Sequence, residues 1–230
     1  MDATVVIIVL IINVLISVWN CYAVGTAWKD TMAVGGWFNK LVLWSAVIQS
    51  GVGFSMPLLL GLSYGSVAVL SRLTSEGEPI MTAAQGGEMI QFMFSLWYIA
   101  VIVPILGTGL SIWAHSLRVA YQRRDFASFA TAGWNTFAQI NNTVSAVRNI
   151  GGAWSSVSEG FGKIFSGKGD ARGKILILLV FLVILSLVGG FFIAFTLVRR
   201  FAASTQSRLE EYGEHLAENK SWGKRTPARA

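Results

Sequence analysis

Charge is what this sequence has least of. Asp, Glu, Lys and Arg together make up 13% of 230 residues, about half the share usual in soluble domains. Four intervals hold no Asp, Glu, Lys, Arg or His at all, those between Asp2 and Lys29, Lys40 and Arg72, Glu88 and His115, and Lys174 and Arg199. Proton relays, ion-coupled carriers and voltage sensors need titratable or mobile charge at membrane depth, so these gaps argue against such machines. A channel lined by amides, hydroxyls and backbone carbonyls is compatible with them.

Cysteine and histidine are nearly absent too. A lone Cys21 can form neither an intrachain disulfide nor a cysteine metal site, and it reads as a small buried residue. Only His115 and His215 could supply imidazoles, too few for a three-ligand zinc site or for a bis-histidine haem on facing helices. His115 reads as an interfacial residue. The sequence also lacks GxSxG, HExxH, a phosphate loop and a dinucleotide fingerprint. No enzyme, cofactor or metal is expected.

What the chain has is apolar length. A little over half of its residues are hydrophobic, with a mean hydropathy of +0.57. Segments 4–26, 41–70, 89–113 and 175–198 are each long enough to cross about 30 Å of hydrocarbon as helices. The second has Pro57 at its middle, which allows a kinked single span, the favoured reading, or a re-entrant hairpin. Trp28, Trp37, Trp44 and Trp113 fall near segment ends, where an indole can bury its ring and hydrogen-bond at the headgroups. The first segment lacks the basic start of a signal peptide and is read as a retained span.

The net charge of +6 is concentrated at segment ends, which points to lipid headgroups rather than nucleic acid. With the amino terminus outside, Lys29, Lys40, Arg118, Arg123 and Arg124 lie inside and the acidic loop after Arg72 lies outside. The fourth segment has basic residues on both flanks, so the charge rule leaves the side of the tail open. A tail on the Lys29 side would require another crossing somewhere between residues 131 and 165.

That region carries no acid before Glu159 and only one base, Arg148, before Lys163. Trp134, Phe137, Ile140, Val144, Val147, Gly151, Trp154, Val157, Phe161 and Ile164 recur at helical spacing. The other face carries Asn135, Gln139, Asn142, Ser145, Asn149, Ser156 and Ser158. A membrane-surface helix normally puts Lys and Arg on its polar face. These amides and hydroxyls suit protein contacts or a water-filled lumen better than headgroups. Asn141 begins an NNT glycosylation sequon, which would matter only on a lumenal side.

Polar and small residues in the spans also fall into register. Asn13, Ser17 and Asn20 share one face of the first span, as carboxamides seeking partners on neighbouring helices do. In the second, Ser45, Gln49, Gly53, Pro57, Gly61 and Gly65 recur at every fourth position, a ridge that lets another backbone approach closely. The expected fold is therefore an all-α integral membrane protein, multi-pass, in an inner or plasma membrane. A three-span region covers 1–126, a charge-poor amphipathic helix 127–170, a fourth span 171–200, and a polar helical tail with a disordered end 201–230.

The expected partners are the lipid bilayer and either further copies or other membrane subunits. This layout is similar to that of polytopic inner-membrane subunits of secretion or conjugation machines, a likeness of architecture and not of residue motif. Two functions follow. One is a non-enzymatic subunit that oligomerises or docks into a larger assembly through its ridge and amphipathic segment. The other is a small oligomeric channel lined by Asn13, Ser17 and Asn20 or by the Asn/Ser face of residues 135–158.

Overall fold

A computed structural model describes residues 3–75, 78–79, 82–166 and 171–222, with side chains placed for most of these up to Gln206. Five α-helices follow one another: α1 Ala3–Val34, α2 Trp37–Leu70, α3 Ala83–Arg123, α4 Phe126–Ser166 and α5 Ala171–Trp222. Between α2 and α3 lies a two-residue antiparallel ladder, β1 Thr74–Ser75 on β2 Glu78–Pro79. Four of the helices, all but α4, are long and apolar enough to cross a membrane. The chain is thus compatible with a multi-pass membrane protein.

Local chemistry sets the helix ends. Gly35 and Gly36 separate α1 from α2, the Gly35 amide bonding back to the Thr31 carbonyl at 2.9 Å. TAAQ opens α3 as a capping box, in which the Thr82 hydroxyl accepts from the Gln85 amide and the Gln85 side chain accepts from the Thr82 amide. The α3–α4 turn is two residues long. Arg124 adopts the left-handed conformation, φ 54°, closing α3, and Asp125 accepts from the Ser128 amide at 2.8 Å as the N-cap of α4. A turn this short forces α4 back along α3.

α2 sits at the centre, packed against α1, α3 and α5, while α4 packs chiefly along α3. One core cluster joins Leu59, Met93, Trp97, Leu179 and Val183 of α2, α3 and α5. A second joins Cys21, Val47, Phe54, Ala194 and Val198 of α1, α2 and α5. Hydrocarbon solvent supplies no hydrophobic drive between helices, so close packing and hydrogen bonds must hold them. α2 and α5 come close backbone to backbone, where a Cβ on Gly190 would run into the backbone of Gly51 and Ser55.

The second apolar segment is one continuous helix through Pro57, which corrects the hairpin alternative. Every apolar segment lies inside a longer helix, because the polar flanks continue the same hydrogen-bond ladder. α5 packs Leu179, Val183, Ser186, Gly190, Ala194 and Val198 inward and exposes Ile177, Phe181, Ile184, Val188 and Phe192. The helical path of the tail extends to Trp222. The side chains of the polar helical tail beyond Gln206, the basic side chains from Lys163 to Lys174, and residues 223–230 lie outside the described residues.

Chain direction gives a further result. Phe201 of α5 packs against Gly25 of α1, and Lys29 bonds to Gln206, so residues 201–206 of α5 lie beside the C-terminal part of α1. Leu179, near the start of α5, clusters with Met89 and Phe92 near the start of α3. The chain therefore reaches the α3 C-terminus at Arg123, returns along α4, and begins α5 at the opposite end of the bundle.

Candidate functional site

Proline 57 creates the first polar demand in the centre of the bundle. Its nitrogen carries no hydrogen, so the Gly53 carbonyl four residues earlier loses its helical donor. Asn13 of α1 supplies one, its Nδ2 donating to Gly53 O at 3.0 Å. Ser17 is buried, donates to Asn13 O at 2.8 Å, and holds its hydroxyl where any side chain on Gly53 would collide with it. Three expected contact residues thus form one interhelical joint. Asn20 is half-buried and makes no side-chain hydrogen bond to another helix among the described residues.

The rest of the α2 ridge divides in two. Ser45 is buried and accepts from Ser111 of α3 at 2.7 Å, and Gln49 lies with Gln139 of α4 over Gly109 of α3. With Gly53, this half is occupied by helices of the same chain. Gly61 and Gly65 are exposed, with nothing within 4 Å of where a Cβ would stand. Tyr64 and Val69 beside them are exposed as well.

The amide face of α4 meets α3. Gln91 donates to Ser156 at 3.2 Å, Tyr98 to the Ser145 carbonyl at 3.1 Å, and Trp113 to Thr136 at 2.9 Å. Gln139 donates to the Leu106 carbonyl at 3.3 Å, while its Oε1 is buried without a partner. Asn135, Asn142 and Ser145 are half-buried on this side, and Asn149 is exposed. Residue numbers rise on one helix as they fall on the other, so the two run antiparallel in fixed register. The expected apolar stripe points away, with Trp134, Phe137, Ile140, Val144, Val147 and Trp154 all exposed. Its last positions wind back to α3, where Val157 is buried and Phe161 stacks edge-on against Phe92 at 6.0 Å.

Sequence reasoning did not find the bond from Trp97 Nε1 to Ser55 Oγ, 2.8 Å and buried, nor the Gly51–Gly190 approach. Trp97 is an indole well inside a span, and that position was the available signal, because a buried indole N–H needs an acceptor. Gly51 and Ser55 belong to a lane beside the one singled out.

Elsewhere, Cys21 is fully buried, its Sγ 3.7 Å from the Ala194 carbonyl. His115 neighbours Phe38, with Nδ1 buried and unpaired. An open cleft of about 230 Å³ at the α1–α5 end is lined by Gly25, Thr26, Lys29, Asp30, Ala202, Thr205 and Gln206. Among the described residues no three His, Cys, Asp or Glu side chains gather as a metal-ligand set. Comparison with known protein families, curated proteins and solved structures finds no match.

Proposed function

We propose that this protein is a non-enzymatic, multi-pass membrane subunit that associates with further copies or with other membrane subunits, in a secretion- or conjugation-type assembly by likeness of layout. One observation carries the reading: the α2 ridge is filled by α1 and α3 from Ser45 to Gly53 and left open at Gly61 and Gly65. The half already in use demonstrates what the ridge chemistry does here, which is to bring helices together. The open half offers the same surface to a helix from outside the chain.

The channel reading draws less support. Asn13 and Ser17 are spent on Gly53, and the α4 amide face is turned to α3, so neither set lines a lumen within one chain.

Gly61→Leu and Gly65→Leu test the proposal by native mass in mild detergent. Loss of the assembled species with an unchanged monomer supports it, and unchanged mass refutes it. Ion flux from proteoliposomes, with aqueous thiol reagents reaching cysteines placed at Asn142, Ser145 and Asn149, would replace it by the channel reading.

A further inference from the structure

We infer that α4 is a fifth membrane crossing, with its outward stripe covered by lipid acyl chains. The first ground is register. The bonds from Gln91 to Ser156 and from Trp113 to Thr136 tie α4 to α3 at two points, about 33 Å apart along α3 at about 1.5 Å per residue. That interval of α3 is its apolar span, so residues 136–156 of α4 stand at the same depth.

The second ground is the outward stripe itself. Trp134 and Trp154 are each 63% exposed and lie about 30 Å apart along the helix axis, the thickness of a hydrocarbon core. Indoles favour the two interfaces, and Phe137, Ile140, Val144 and Val147 fill the distance between them. The stripe continues the exposed aliphatic surfaces of α1 and α5, such as Ile12 and Ile184. A helix lying on a bilayer would need its polar side in water. Here that side is packed on α3, and water on the apolar side would meet a continuous greasy stripe.

Chain path is the third ground. α5 starts at the end of the bundle opposite Arg123, and α4 is the segment that makes the return. Low hydropathy hides α4 from a composition test because half its circumference is amides and hydroxyls, and many of these face or bond α3. Arg148 is exposed on the outward face itself, one turn after Val144 and near mid-depth, the one charge between Asp125 and Glu159; snorkelling and local thinning let a bilayer accommodate a single guanidinium.

Five crossings place the α5 extension on the side of Lys29, Lys40 and Arg124. The inference is independent of the subunit reading, because it concerns one chain in lipid. Its test uses the full-length protein with Cys21→Ala and single cysteines Gln122→Cys, Ser158→Cys and Ala203→Cys in sealed vesicles of uniform orientation. An impermeant maleimide should label Gln122→Cys and Ala203→Cys from one face and Ser158→Cys from the other. A nitroxide at Val144 should be relaxed by oxygen and not by an aqueous nickel chelate.

Labelling of the 122 and 158 positions from the same face, or nickel access at 144, overturns the inference. Should Cys21→Ala fail to fold, hydrogen exchange of the unmodified protein in lipid nanodiscs decides instead. Residues 136–156 should exchange as slowly as the middle of α3, and exchange as fast as that of residues 115–123 overturns it.

Discussion

A single missing hydrogen organises much of the interior. Pro57 leaves the Gly53 carbonyl bare and Asn13 answers it, so the two residues form one energetic unit. Asn13→Leu should destabilise the protein by about 1–3 kcal/mol, since a buried acceptor is left unsatisfied. In a Pro57→Ala background the helix supplies its own amide to Gly53, and the same substitution should cost well under half as much. Reversible SDS unfolding of the four variants measures the coupling, and additive losses would show that Asn13 acts elsewhere. Asp125 works at the opposite extreme of exposure. Hydrogen bonds from the Ser128 amide and hydroxyl hold its carboxyl below the ordinary value of 3.8. Its folded value being the lower one, the cap's contribution is fully present above about pH 4 and is lost as pH falls through the folded value. The unfolding midpoint should therefore drop between pH 5 and 3 more in the parent than in Asp125→Asn, which keeps an N-cap acceptor without titrating.

Elements differ in how closely they let one another approach. At Gly190 the nearest neighbours are backbone atoms of α2, Ser55 N lying 2.6 Å and Ser55 Cα 2.9 Å from a notional Cβ, so neither helix can yield by a rotamer change. Gly190→Ala should cost about 1–3 kcal/mol as overpacking. Gly61→Ala, with open space around it, should be neutral or gain up to about 1 kcal/mol from helix propensity. Unfolding midpoints of the two variants check the contrast, and equal effects would place the α2–α5 contact elsewhere. Spacing alone did not single out Gly190. It selected the lane through Gly61 because period four is visible in a string of letters, whereas Gly51 and Gly190 become partners only when two helices cross. For α4 the helical recurrence of apolar positions was legible from Trp134 to Trp154, but not the direction in which each face would point, and the side chain of Ile164 lies outside the described residues.

At the scale of the whole molecule, solvent decides direction. In water an amphipathic helix turns its apolar stripe inward; beside α3 the stripe of α4 turns outward and its amides turn in, the arrangement that suits hydrocarbon outside and hydrogen-bond partners within. The five helices set residues 201–206 of α5 beside the C-terminal part of α1 and start α5 near the start of α3, which charge counting could not do because α5 is flanked by bases on both sides. The sequence by itself determined the class: helices of apolar residues at spanning length, emptied of charge, with carboxamides and small residues marking contact faces. These are properties of single residues and of their spacing along one helix, and hydrophobicity and steric size act at that range. Tertiary structure decided which carbonyl Asn13 completes, which half of the ridge stays open, what the amides of α4 touch and at which end α5 begins. Each of those depends on register between different helices, whose paired residues lie 23 apart at Trp113 and Thr136 and 66 apart at Ser45 and Ser111, and register is set by mutual packing that no local pattern encodes.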